Sequence, residues 1–323
     1  MANRRFNRQQ RKMIMIITFA VMILLITAVI VLSVNLADIY KKYQADEEYI
    51  AVQASKVYEY YNEKDVILMD DPTYGEIWLA ALDDVPLSSY KQENLRIQGD
   101  YRYYTVNGEK TSHLGIDVSY FQQDINWQLV KEAGIEYVMI RVGYRGYETG
   151  SLNKDTRFDE YITGATEAGL HVGVYFFSQA VTVEEAEEEA DFVLEAIAPY
   201  ELSYPVVYDW EIIGGETART EGMPAQMLTD CTAAFCNKVA KAGYIPMVYA
   251  SKRQALLKTD MSALAGFDFW LAEYREEPTY PYEFQMWQYS PEARIPGIEG
   301  DTDINISFVD YSAIRKPTAE STE

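Results

Sequence analysis

Asp209 and Glu211 flank Trp210 at the end of the run Tyr204-Pro205-Val206-Val207-Tyr208. That run is apolar, with β-branched and aromatic residues, which is the composition of a buried strand. Side chains alternate along a strand, so the two acids share a face roughly 6–7 Å apart at a rise of ~3.3 Å per residue, and Trp210 points the other way. Two carboxylates side by side repel when both are ionised, so one acquires a raised pKa and holds a proton near neutral pH. A protonated carboxyl beside an anion is what glycosidic-bond hydrolysis needs: an acid for the leaving oxygen and a negative charge for the oxocarbenium-like centre. For the triplet taken alone, two surface acids at a solvated strand end are the alternative.

The elements around the triplet favour chemistry. From Leu114 onward, strand-like and helix-like segments alternate. The strands are Leu114 to Val118, Tyr137 to Val142, Val172 to Phe177, the run into Asp209, and Ile245 to Ala250. Between and after them fall helices at Trp127 to Ala133 with Asp124 as N-cap, Arg157 to Ala168 closed by Gly169, Val183 to Ala198 stopped by Pro199, Gln226 to Ala242 closed by Gly243, and Gln254 to Leu264. Three strand-like runs, Phe269 to Glu273, Phe284 to Tyr289 and Asp303 to Phe308, end the region without helices. Repeated βα units predict an α/β fold, here a modified, TIM-like (β/α)5β3 barrel. Chemistry in such barrels sits at the C-terminal strand ends, where Asp117 and the Asp209–Glu211 pair both fall.

Several runs also resemble the signature blocks of glycoside hydrolase family 25, the Chalaropsis-type lysozymes. They are Gly115-Ile116-Asp117-Val118-Ser119, Arg141-Val142-Gly143-Tyr144-Arg145-Gly146, Val174-Tyr175-Phe176-Phe177-Ser178-Gln179-Ala180, Asp209-Trp210-Glu211, Phe269-Trp270-Leu271-Ala272-Glu273-Tyr274, Trp287-Gln288-Tyr289 and Gly300-Asp301-Thr302-Asp303-Ile304-Asn305. The blocks run in order over roughly 200 residues, from His113 to Tyr311. The resemblance implies a muramidase that cuts the β-1,4 bond after N-acetylmuramic acid in peptidoglycan and uses no cofactor. It makes Glu211 the proton donor and Asp209 a nucleophile or an orienter of the substrate's acetamido group. Asp117 and Asp303 become the other two pocket acids. Tyr274 is expected beside the substrate, with Tyr175, Arg141 and Trp287 as further substrate contacts. One departure is Tyr161, where the resemblance leads to Asn; the position lies on a helix away from the acids.

The N-terminus bears on location. Met13 to Val34 holds no charged residue, and as a helix at ~1.5 Å per residue it would span ~33 Å, enough for a hydrocarbon core of ~30 Å. Arg4, Arg5, Arg8, Arg11 and Lys12 precede it, so the positive-inside rule places residues 1–12 in the cytoplasm and the rest outside. A single-pass signal anchor over residues 13–35 fits better than a cleaved signal peptide, whose apolar core is normally shorter. Apolar or tyrosine residues then recur at Leu36, Tyr40, Tyr43, Ile50, Ala54, Val57 and Tyr61 by threes and fours. This predicts a mostly helical stalk, pairing with another copy or packing back on its own domain, that ends at Asp70-Asp71-Pro72. Within an extracellular segment of residues 36–112, Trp78, Leu79, Leu82, Leu87 and Leu95 predict an extension packed on the barrel. Asn107-Gly108 signals a tight hairpin. The barrel itself is assigned residues 113–311, followed by a tail at 312–323.

A net charge of −22 excludes a nucleic-acid binder, since phosphate contacts require Lys and Arg. Two His and two Cys, unclustered, give no transition-metal set. Cys231 and Cys236 fall on different faces of one predicted helix, which disfavours a mutual disulfide. No G-x-S-x-G elbow supports a Ser-His-Asp hydrolase. A non-catalytic peptidoglycan-binding scaffold is the alternative to an enzyme, and a chitin-type polymer the alternative substrate.

Overall fold

The computed structural model describes residues 66–213 and 218–314, together with positions between residues 22 and 44 that are all helical. The basic arm, most of the apolar run at 13–35, the stalk positions from Tyr43 to Tyr61 and residues 315–323 lie outside the described residues. Among the described residues, no helix is long and apolar enough to cross a membrane. The chain divides into two compact units, Met1–Ala51 and Val52–Glu323, and the described strands belong to the second.

The first described residues of that unit, from Val66, are β-structure where a helical stalk was expected to end. β1 (Val66–Asp71) and β2 (Gly75–Ala80) form an antiparallel hairpin. The turn is fixed by Asp71 Oδ1, which accepts the backbone N–H groups of Thr73 and Tyr74, so the acid that looked like a helix stop is a turn residue. β3 (Leu95–Gln98), β4 (Tyr101–Val106) and β5 (Glu109–Lys110) form a second small sheet. The β4–β5 turn has positive φ at both Asn107 and Gly108, the conformation an Asn-Gly hairpin requires. The extension is tied to the barrel by backbone bonds from Glu283 N to Pro86 O and from Ser88 N to Pro281 O, and by an Arg253–Asp71 ion pair at 2.7 Å.

The remaining elements are β6 (His113–Val118), α1 (Trp127–Glu132), β7 (Tyr137–Arg145), β8 (Leu152–Lys154), α2 (Phe158–Glu167), β9 (His171–Ser178), α3 (Val183–Ile197), β10 (Val206–Trp210), α4 (Ala225–Lys241), β11 (Pro246–Ser251), α5 (Lys252–Leu257), α6 (Met261–Leu264), β12 (Asp268–Ala272), β13 (Met286–Ala293) and β14 (Thr302–Ser307). Eight strands close in the order β6-β14-β13-β12-β11-β10-β9-β7, and β7 pairs back onto β6. All pairings round the barrel are parallel except the two made by β14. Every residue of β10 is buried, as expected for a parallel strand covered on both faces. Two local expectations change. Asn126, not Asp124, caps α1 by accepting Leu129 N–H, while Asp124 pairs with Arg157. The expected helix from Gln254 to Leu264 is two short helices, because Asp260 caps a fresh start at Met261. Cys231 and Cys236 are buried free thiols on α4.

Glycine shapes the barrel floor. A Cβ at Gly115 would lie 2.2 Å from the Tyr137 ring, and one at Gly173 would lie 2.6 Å from Met139 Sδ. These two positions therefore clear space for the large inward residues of β7. Tyr137 stacks on Tyr204 at 4.4 Å, and together with Met139, Val207, Met247, Trp270 and Met286 they pack the interior below the site.

Candidate active site

Strand alternation carries each inward row from packed core to open cleft. On β7 the row is Tyr137, Met139, Arg141; on β10 it is Val207, Asp209; on β11 Met247, Tyr249; on β13 Met286, Gln288. The upper members line a cavity of about 220 Å³ that also receives Asp117, Tyr175, Trp270, Tyr274, Asp303 and Glu211. All four expected acids are thus brought to one mouth. Asp117 and Asp209 are the penultimate residues of β6 and β10, at the C-terminal ends of these strands. Asp303 arrives differently: it lies near the start of β14 and reaches the same mouth only because β14 runs backwards, in direct register with Asp117.

The acids differ in surroundings. Asp117 is buried, and its Oδ2 accepts Gln288 Nε2 at 2.9 Å and Asn305 Nδ2 at 2.8 Å. Burial pushes it up to about 6, and the two amide donors pull against that by favouring the anion. Asp209 is buried too, and burial followed by the charges of Glu211 and Asp117 drives its pKa well above the usual carboxylate range. Glu211 follows the last residue of β10 and is exposed in the cleft; its pKa is also raised, by desolvation between the cleft walls and by Asp117. With both carboxyls raised, the neighbouring Asp209 and Glu211 retain a proton at pH values where isolated carboxylates would be ionised. Asp303, raised to about 8 by burial and by the charges of Asp117 and Glu211, completes the acidic ring. The sequence alone pairs an acid with an anion inside the Asp209–Glu211 couple. The structure places the carboxylate whose anion is best supported by hydrogen bonds at Asp117, on another strand.

Gln288, which the sequence reading passed over, is the hub. Its Oε1 accepts the hydroxyls of Tyr249 at 2.8 Å and Tyr274 at 2.9 Å, leaving Nε2 for Asp117. Trp287 stands in the same block but faces away from the cleft. It is fully buried, donates its indole N–H to Glu273 O, and lies beneath Arg102 of the extension. Strand alternation explains the correction: Met286 and Gln288 share the inward face, so Trp287 cannot. Arg141 and Tyr175 do line the cleft, and half-exposed Tyr274 stands at its rim. Arg141 is anchored by Asp155, which accepts Nε at 2.8 Å and also the backbone N–H of Tyr120. That bond holds the exposed Phe121 on the cleft wall. Among the described residues, no group of His, Cys, Asp and Glu is arranged to hold a metal ion.

Residues 116–298 match the model for glycosyl hydrolases family 25. The chain belongs to that family. As a family 25 glycoside hydrolase it is 29% identical over 212 residues to lysozyme M1 of Streptomyces globisporus, covering 62% of this chain and 70% of that one. It is 24% identical to the autolytic lysozyme of Clostridium acetobutylicum, over 59% of this chain and 54% of the relative. The chain therefore spans little more than half of some relatives. Among solved structures, the modular autolysin LytC of Streptococcus pneumoniae, determined with a synthetic peptidoglycan ligand, superposes with a TM-score of 0.55 at 22% identity. It covers 75% of this chain and 56% of its own. A family 25 hydrolase from Bacillus anthracis gives 0.52 at 18% identity, over 66% of this chain and 95% of that one. Both likenesses concern the fold.

Proposed function

We propose that this family 25 enzyme is a muramidase that hydrolyses the β-1,4 bond between N-acetylmuramic acid and N-acetylglucosamine in peptidoglycan. The observation that carries the reading is the separation of proton and charge in one cleft. The Asp209–Glu211 couple holds a proton with Glu211 at the open surface, and Asp117 is an anion braced by two amides. Glu211 gives its proton to the leaving glycosidic oxygen as the bond to the sugar's anomeric carbon breaks. The negative charge of Asp117, lining the same cleft, stabilises the oxocarbenium-like centre; water then bonds to the anomeric carbon through its oxygen and gives up a proton that restores the acid. Desolvation and the charge of Asp117 keep Glu211 protonated, and Asp209 and Asp303 present further polar groups to the sugar. Tyr175, Tyr274 and Arg141 supply walls for the ring.

Incubating the purified full-length protein with peptidoglycan and identifying the released fragments by mass spectrometry tests this. New reducing ends on N-acetylmuramic acid are expected. Release with reducing ends on N-acetylglucosamine, or from chitin oligomers alone, would reassign the substrate. Binding without any release would make the chain a glycan-recognition scaffold.

The enzyme works outside the cell, tethered by the apolar run from Met13 to Val34, with the basic arm in the cytoplasm. Its acidic composition, at −22, gives no attraction to anionic wall polymers, so tether and cleft determine where it acts. Protease added to wall-stripped cells should remove the barrel and leave a small membrane fragment. A mature chain beginning near Asp38 and free in the medium would instead identify a cleaved leader.

A further inference from the structure

Gln179 stands one residue beyond β9 and is fully buried. Its Nε2 donates to the backbone carbonyl of Glu211 at 3.0 Å and to that of Ser178 at 2.7 Å, and its Oε1 accepts Thr220 Oγ1 at 3.1 Å. Carbonyl oxygens only accept, so the amide can lie only this way round. The residue is also held from behind. The preceding residue, Ser178, donates its Oγ at 2.6 Å to Glu189, a buried α3 acid that also accepts Arg145 Nε at 2.7 Å. The Gln179 carbonyl accepts Arg219 Nη1 at 3.2 Å, and Arg219 is paired with Glu185 at 2.6 Å.

This brace sits where the sheet stops helping. The β9–β10 ladder ends at the Ser178–Trp210 pair, so Asp209 is fixed by strand pairing and Glu211 is not. We infer that Gln179 is a positioning residue for the proton donor: it grips the backbone of Glu211 directly and that of Thr220 through its hydroxyl, and so holds the Glu211 carboxyl against Asp209. The inference rests on Glu211 being the acid. A donor misplaced by about 1 Å loses up to about 10²-fold in rate, whereas substrate held by other walls keeps its affinity.

The test uses the full-length enzyme in detergent on peptidoglycan, with Glu211→Gln as reference. If wild type turns over and Glu211→Gln does not, the acid assignment stands; an active Glu211→Gln refutes that assignment and leaves nothing for Gln179 to position. Given the first result, Gln179→Met should lower kcat about 10- to 100-fold with KM within about twofold. The alkaline fall in rate should move to lower pH, because a loosened Glu211 is better solvated and releases its proton more readily. Gln179→Glu can donate to the Glu211 carbonyl only when protonated, so its rate should recover relative to Gln179→Met as pH falls. A purely structural residue would lower the melting temperature without moving the pH profile. Unchanged kcat, or a loss of kcat with an unmoved alkaline limb, overturns the inference. If Gln179→Met does not fold, Thr220→Val decides: a lower kcat with the same limb shift supports the brace, and native kinetics refute it.

Discussion

The indole N–H of Trp270 donates to Asn305 Oδ1 at 2.9 Å. Indole nitrogen is a donor only, so this bond fixes the orientation of the Asn305 amide and turns Nδ2 toward Asp117. The two tyrosine hydroxyls do the same for Gln288 from the other side. Asp117 thus receives two N–H groups whose direction is set by residues below and beside it, and its anionic form is the one this arrangement favours.

Asn305→Leu should therefore make Asp117 harder to ionise. A hydrogen bond to a charged group is worth about 1.5–3 kcal/mol, or about one to two pKa units. The acid limb of the kcat/KM profile should move upward by about that amount. An unmoved limb would mean that another group sets it.

Glu211→Gln removes the proton while keeping shape, and turnover should fall at least ~10²-fold, the usual scale for a general acid. Calorimetric binding of glycan fragments should persist. Near-native turnover would remove Glu211 from the acid's role.

The same groups set the whole pH profile. Asp117 must be ionised, so the rate should fall as pH drops through about 6. The Asp209–Glu211 couple must keep its proton, and because both pKa values are raised the rate holds to higher pH before falling. A bell is expected, with its acid side nearer neutrality than isolated carboxylates would give. Steadily increasing rate from pH 7 to 10 would contradict a retained proton.

Much of this cleft could be read from the sequence because it depends on local patterns. Asp117, Asp209 and Glu211 follow apolar runs, and strand ends are where such barrels place chemistry. Asp303 is legible by motif alone: at the start of a strand it would sit at the wrong end, and reversal of β14 is a tertiary fact. Gln288 lost to Trp287 because the choice between neighbours depends on which face of β13 is inward, and both strand faces there are buried. The hairpin at Val66–Ala80 was hidden by Asp70-Asp71-Pro72, which reads equally as a helix stop or a turn.

Asp303 holds its proton up to about 8, against 3.8 for an unperturbed carboxyl. Between those values the folded state binds a proton that the unfolded chain has released, so stability falls as pH rises through the window and levels above it. Asp303→Asn removes that dependence. Its melting temperature should exceed wild type by about 2–4 °C at pH 8 for a gain near 1 kcal/mol, with a smaller difference at pH 4, while activity drops. Equal pH dependence in both proteins would assign the raised proton elsewhere.

Backbone strain lies beside the same cleft. Gln123 has φ 51° and ψ −126°, a conformation that glycine enters freely and an L-residue enters at a cost of about 1–3 kcal/mol. It is held there by its neighbours. Gln123 Nε2 donates to Tyr120 O at 2.7 Å, and its own carbonyl accepts the hydroxyl of Tyr161 on α2. Tyr161, the one visible departure from the family pattern, therefore braces the loop that carries Phe121 and is not remote from the site. Gln123→Gly keeps the Tyr161 bond and loses only an exposed amide contact. Relief of strain should outweigh that contact and the greater entropy of the unfolded chain, which costs about 0.5–1 kcal/mol. A rise in melting temperature of about 2–4 °C is expected, and Gln123→Ala, which keeps the strain and loses the contact, should fall below wild type. If glycine and alanine lower stability equally, the side-chain contact outweighs the strain, and the loop owes its shape to Gln123 itself.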